Sequence, residues 1–96
     1  MIITVVGLGV VGGSFVKALK GHGHQVYGID IDENTLKRAE DEGCIIKGYQ
    51  DGREIISKSD LTIICLYPSL VLDFIKNNQF KKGIKTILTN IKSIIK

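Results

Sequence analysis

Residues 1–30 read Met1-Ile-Ile-Thr-Val-Val-Gly-Leu-Gly-Val-Val-Gly-Gly-Ser-Phe-Val-Lys-Ala-Leu-Lys-Gly-His-Gly-His-Gln-Val-Tyr-Gly-Ile-Asp30. The β-branched run Met1 to Val6 breaks abruptly at glycine, the mark of a short buried strand. From Gly12 the spacing becomes helical, with Val11, Phe15, Ala18 and Leu19 on one stripe and Lys17 and Lys20 off it. Gly21 is placed to end that helix, because glycine tolerates the left-handed conformation at a helix C-terminus. Gln25 to Ile29 reads as a second strand and terminates in Asp30. The opening is therefore strand, tight glycine turn, helix, strand, acid.

The rest of the chain continues the alternation. Asp32 is a helix N-cap with Glu33 in the first turn, and the helix runs to about Glu42 before Gly43. Cys44 to Ile46 is expected as a brief third strand, and a short helix from about Gly52 to Lys58 follows. Leu61 to Leu66 has almost no polar alternation, as in a strand covered on both faces. Pro68 stops it, a helix is expected from about Leu70 to Asn78, and a fifth strand from about Thr86 to Thr89. Strands and helices in strict alternation, joined by short turns, specify an α/β fold: a doubly wound parallel sheet of order 3-2-1-4-5 with helices on both faces.

Composition narrows the function classes. The chain has 96 residues, 44% hydrophobic and 24% charged, so one domain spanning residues 1–96 is expected. The net charge of +3 is too weak to mark a polyphosphate binder. The basic excess lies in the second half, where Lys76, Lys81, Lys82, Lys85, Lys92 and Lys96 lack interleaved aromatics, so nucleic acid is not expected as a partner. Residues 1–16 carry no charged side chain, yet there is no basic leader and glycines interrupt the run. No stretch reaches the roughly 20 apolar residues of a membrane span, so the expectation is a cytoplasmic protein with no membrane partner. Cys44 and Cys65 are too few for a disulfide framework and are expected to be reduced. The strand order puts them roughly 14 Å apart, beyond bonding reach. His22 and His24 flank Gly23 in a turn with no further ligands nearby, so no metal site is expected.

Gly7-Leu8-Gly9-Val10-Val11-Gly12 is GxGxxG. The pattern alone is weak, but here it follows a strand, opens a helix and precedes an acid about 20 residues on, the context of a dinucleotide-binding, Rossmann-like turn. Gly7 makes the turn, Gly9 lets backbone approach a pyrophosphate, and Gly12 lets helix and strand pack closely. The helix N-terminus then offers free N–H groups and a positive dipole end to phosphate. Asp30 is expected to accept hydrogen bonds from ribose hydroxyls and to repel a 2′-phosphate, which favours NAD over NADP. Residue 31 is isoleucine, so no adjacent cation could hold that phosphate.

The longer run Gly7-Leu-Gly-Val-Val-Gly-Gly-Ser-Phe-Val-Lys-Ala-Leu19 resembles the opening of prephenate dehydrogenases, GLGxxGGSxxxAL. Gly23 to Asp30 is similar to that family's second strand, Ser59 to Pro68 to its ADLVILAVP segment, and Leu88-Thr-Asn-Ile-Lys-Ser93 to its TDVxSxK segment. The resemblance covers essentially the whole chain. Asn90 stands where the family usually has Asp, Tyr67 replaces a small apolar residue before Pro68, and the lysine after Ser93 comes at Lys96. The resemblance implies cofactor contacts along Gly7, Leu8, Gly9, Val10, Val11, Gly12, Asp30, Leu66, Tyr67 and Pro68, and a substrate-orienting role for Ser93. It implies NAD-dependent oxidative decarboxylation of prephenate to 4-hydroxyphenylpyruvate, in tyrosine biosynthesis, with arogenate as the alternative substrate. The family's catalytic histidine and its helical substrate and dimerisation domain are not among these residues, so the chain is expected to be inactive alone. Ile91, Ile94 and Ile95 are expected to belong to apolar surface that a following domain would cover, so a homodimer or concentration-dependent oligomer is expected. Two other readings remain: the cofactor domain of a 3-hydroxyacid dehydrogenase, and a non-enzymatic nucleotide-sensing module.

Overall fold

The computed structural model describes residues 1–79 and 85–88. Nine elements alternate along it: β1 (Ile2–Val6), α1 (Val10–Leu19), β2 (Gln25–Ile29), α2 (Glu33–Asp41), β3 (Gly48–Tyr49), α3 (Arg53–Lys58), β4 (Leu61–Ile64), α4 (Pro68–Lys76) and β5 (Lys85–Leu88). The five strands form one sheet in the order β3-β2-β1-β4-β5, every pair parallel, as the sequence predicts. β1 lies at the centre, with Val6 level with Ile29 of β2 on one side and with Ile64 of β4 on the other.

Strand side chains alternate between two faces, and each face has its own core. Ile3, Val5, Val26 and Ile63 pack with Val16, Leu36, Cys44 and Ile45 on the face covered by α1 and α2. Val6, Ile29 and Ile64 pack with Ile55, Ile56 and Val71 on the face covered by α3 and α4. This two-sided burial is why β1 and β4 are apolar without alternation. The polar exceptions are Thr4, Ser59 and Thr62, all buried. Thr4 Oγ1 and Ser59 Oγ lie 2.5 Å apart, and Ser59 Oγ also donates to Ile55 O at 2.7 Å, which ties the end of α3 to the central strand.

Several expected boundaries move. Cys44 to Ile46 is not the third strand: the N–H groups of Cys44 and Ile45 bond back to Ala39 O at the end of α2, and both side chains are core residues. The chain meets β2 first through Ile46 N–H on Val26 O at 2.7 Å, and the strand proper is Gly48–Tyr49. A cap that must first satisfy the carbonyls of α2 consumes the residues that composition alone assigns to the strand. α1 starts at Val10, two residues before Gly12, and its inward stripe is Gly12, Phe15, Val16 and Leu19 rather than Val11, Phe15, Ala18 and Leu19. Val11 and Ala18 are exposed. β4 ends at Ile64, and Pro68 opens α4 at a first-turn position, where its missing N–H costs nothing. Asp32 caps α2 as expected, accepting from Asn34 N–H at 3.0 Å and Thr35 Oγ1 at 3.1 Å.

Candidate functional site

The glycine turn sits at the carboxyl end of β1, where α1 leaves on one face toward β2 while α4 leaves the adjacent β4 on the other face toward β5, the position at which open α/β sheets form a crevice. Gly7 has φ of 86°, a conformation that strains any residue with a Cβ, and a Cβ there would lie 2.7 Å from Cys65 O. Its N–H donates to Ile29 O at 2.7 Å, so the turn is pinned between β2 and β4. A Cβ on Gly12 would meet Gly7 O at 1.7 Å, which means α1 leans directly on the turn it follows. Gly9 differs from both. Its φ is −70°, and among the described residues nothing lies within 4 Å of the position its Cβ would take. Packing among those residues does not demand glycine there.

Past Gly9 the first helical N–H groups, those of Val10, Val11 and Gly12, have no acceptor among the described residues, while Gly13 N–H bonds to Gly9 O at 2.8 Å. Orphan donors at the positive end of a helix dipole form a place for an anion. Val10 is 91% exposed, so the approach is open.

Asp30 closes one flank of the turn. Its Oδ2 accepts from Leu8 N–H at 2.9 Å and its Oδ1 from Asp32 N–H at 2.9 Å. Both oxygens are held by backbone, and each retains acceptor capacity for a further donor. Leu8 thus faces two ways: its N–H serves Asp30, while its side chain is buried in the α1/α2 core. Gly28 makes room for it, since a Cβ at Gly28 would come 2.7 Å from Leu8 Cδ1. The bond from Asp30 to Leu8 is the feature that sequence reasoning missed. The parallel register that sets Val6 beside Ile29 is the signal that could have revealed it, because it puts the next residues of both strands side by side.

On the opposite flank, Cys65 N–H donates to Val6 O at 2.8 Å and brings Leu66 and Tyr67 up to the turn. Leu66 packs into the α3/α4 core, Tyr67 is 77% exposed as the N-cap of α4, and Pro68 is that helix's first residue. A groove of about 540 Å³ starts at Leu8, Gly9 and Val10 and runs between α1 and α2 past Lys17 and Arg38 to Glu42 and Cys44. It shares the turn but leads away from the crevice.

Of the remaining candidates, Ser93, Asn90 and Lys96 lie outside the described residues, as do Ile91, Ile94 and Ile95. His24 stands at the other end of the sheet, its Nδ1 3.4 Å from the amino terminus. Neither Cys44 nor Cys65 is in a disulfide. Among the described residues no cluster of His, Cys, Asp or Glu is arranged to hold a metal, and no helix is long and apolar enough to cross a membrane.

Comparison with known proteins agrees with this geometry. Residues 2–96 match the family described as the NAD binding domain of 6-phosphogluconate dehydrogenase. No curated protein matches the sequence. Among solved structures, the prephenate dehydrogenase from A. aeolicus in complex with hydroxyphenyl propionate and NAD+ superposes with a TM-score of 0.83 at 22% identity, over 92% of this chain and 32% of that one. Synechocystis arogenate dehydrogenase gives 0.84 at 22% identity, over 92% and 32%. The 3-hydroxyisobutyrate dehydrogenase of Mycobacterium tuberculosis gives 0.70 at 23%, over 80% and 26%. At these identities the likeness is one of fold, and the chain spans 32% or less of each of these dehydrogenases.

Proposed function

We propose that this chain, which belongs to the NAD-binding domain family of 6-phosphogluconate dehydrogenase, is the cofactor half of an NAD-dependent dehydrogenase acting on prephenate or arogenate. The observation that carries the cofactor reading is Gly9: a glycine that no neighbour among the described residues crowds, beside three N–H groups with no acceptor among those residues, leaves room for a group outside the protein.

The residues fit a dinucleotide. Val10, Val11 and Gly12 hold the diphosphate through their N–H groups, with Gly9 bare so that the oxygens can approach. Asp30 accepts the adenosine ribose hydroxyls with its remaining lone pairs, while its bonds to Leu8 and Asp32 keep the carboxylate from rotating away. A 2′-phosphate placed there would face the carboxylate of Asp30, so NAD is preferred over NADP. Ile31, 87% exposed beside Asp30, offers an apolar surface to the adenine. Leu66 and Tyr67 stand on the side of the crevice toward the reacting end, and Pro68 follows them as the first residue of α4.

Bound NAD supplies a hydride acceptor. In the proposed reaction the substrate's ring carbinol is oxidised, carbon dioxide leaves, and the carbinol proton passes to a base. His22 and His24 lie on the turn leading into β2, and His24 sits beside the amino terminus at the far end of the sheet. Neither is placed to act as that base, a role that the family resemblance gives to a histidine of the family's substrate-binding part. Ser93 orients the substrate hydroxyl by the same resemblance. The doubled glycine and serine, Gly12-Gly13-Ser14, favour this substrate class over the 3-hydroxyacids, whose dehydrogenases share the fold.

Calorimetric titration of the purified chain with NAD and NADP tests the reading. NAD is expected to bind and NADP to bind more weakly, and Asp30→Ala is expected to narrow that difference. Absence of binding by either nucleotide would sink it. Turnover of prephenate by the chain alone would refute the assignment of the base to another part of the protein.

A further inference from the structure

The crevice has two flanks about β1. Asp30 and Ile31 follow β2 on one side, and Leu66 and Tyr67 follow β4 on the other, and the paired positions Val6, Ile29 and Ile64 bring both flanks to one level. Adjacent strands are ~4.8 Å apart, so the flanks are roughly 10 Å apart, the scale of a diphosphate with its sugars. A dinucleotide with its adenosine ribose on Asp30 and its diphosphate on the N-terminus of α1 must carry its second nucleoside over the end of β4.

Tyr67 stands there, and its surroundings among the described residues do not account for it. Phe15, Tyr27, Tyr49 and Phe74 each pack against one of the two cores, and Tyr27 and Tyr49 also pair with ring centroids 6.3 Å apart. Tyr67 belongs to neither core and is 77% exposed. Leu66 packs into the α3/α4 core, and Tyr67 follows it with extended backbone, φ −60° and ψ 145°, so alternation turns the ring away from that core. Its side chain makes no capping hydrogen bond to α4. An exposed aromatic ring that packs into neither core of the described residues, at the mouth of a crevice, is suited to stacking on a planar ligand.

We propose that Tyr67 is the stacking platform for the nicotinamide ring, an inference that rests on the NAD reading above. The oxidised ring carries a positive charge, which the negative face of a tyrosine attracts more strongly than it does an uncharged ring. Tyr67 therefore distinguishes nucleotides with a nicotinamide from those without one.

The test compares NAD+ with ADP-ribose, which has the adenosine, the diphosphate and the second ribose but no nicotinamide. Both are titrated calorimetrically into wild type, Tyr67→Ala and Tyr67→Phe, with circular dichroism to show that each variant is folded. Tyr67→Ala is expected to weaken NAD+ roughly tenfold, in the range of ring stacking on aromatic side chains, and ADP-ribose by less than about twofold. Tyr67→Phe should keep both affinities, since it retains the ring. Equal losses for the two ligands, or none for NAD+, would overturn the role of Tyr67 while leaving the cofactor reading intact. A wild type that binds neither ligand would overturn both.

Discussion

Two glycines a few residues apart make opposite predictions. A Cβ at Gly12 collides with Gly7 O at 1.7 Å, so Gly12→Ala must push α1 off the turn. It should destabilise the fold by about 1–3 kcal/mol, as overpacking does, measurable as a lower urea midpoint at unchanged slope. At Gly9 the added methyl meets only open space, so Gly9→Ala should alter stability by less than about 1 kcal/mol. NAD affinity should nevertheless fall roughly tenfold or more, because the methyl occupies the approach to the N–H groups. Equal stability losses in the two variants would show that the space at Gly9 has no ligand purpose. Asp30 carries a related duality, since the carboxylate that braces Leu8 is also the one proposed to hold the ribose. Removing it is expected to weaken even ligands that lack a ribose, such as pyrophosphate, because the turn loses its brace.

Among the elements, α2 depends most visibly on its first residue. Asp32 satisfies the Asn34 N–H and holds the Thr35 hydroxyl, and only Leu36 of this helix is buried. A nine-residue helix with so small an apolar face relies on its ends. At the other end Lys20 Nζ donates to Glu42 O at 2.7 Å, and Glu40 accepts the Gly48 N–H at 2.7 Å, fastening α2 to α1 and to β3. Asp32→Ala should cost about 1 kcal/mol in chemical denaturation, with protection of the α2 amides in hydrogen exchange falling first. The Asp30 N–H bonds to Tyr49 O at 3.1 Å, so loosening of α2 and β3 is also expected to lower NAD affinity.

At the scale of the molecule, a ligand that grips both sides of β1 couples the two halves of the sheet. NAD at a hundred times its dissociation constant should stabilise the native state by about 2.7 kcal/mol. For a domain of this size that raises Tm by roughly 10–20 °C, which a thermal scan with and without NAD measures. NADP at equal concentration should raise it less. The α4 surface leaves Leu70, Leu72 and Ile75 exposed while Val71 is buried, an apolar face on a helix whose opposite side already packs against the sheet. Such a face favours association. Light scattering over a range of concentrations is expected to show dimer formation, and Leu72→Lys, at a side chain 66% exposed, should abolish it without loss of helix content.

The period of the hydrophobic pattern and the glycine spacing, both local properties, sufficed for the α/β class, the strand order and the place of the glycine turn. Buried parallel strands cannot alternate, helices between them must, and a GxGxxG turn admits few backbones. What local pattern could not decide was competition between neighbours in space. Cys44 and Ile45 have strand composition but serve the end of α2 and plug a core, so β3 forms later. Val11 looks like a helix-stripe residue but is exposed, because Gly12 and Val16 face the sheet. The contrast between a Gly9 free of contacts and a crowded Gly12, and the hold of Asp30 on Leu8, arise only when β1, β2 and β4 stand side by side. Those distances depend on strand register, a relation between segments far apart in the chain.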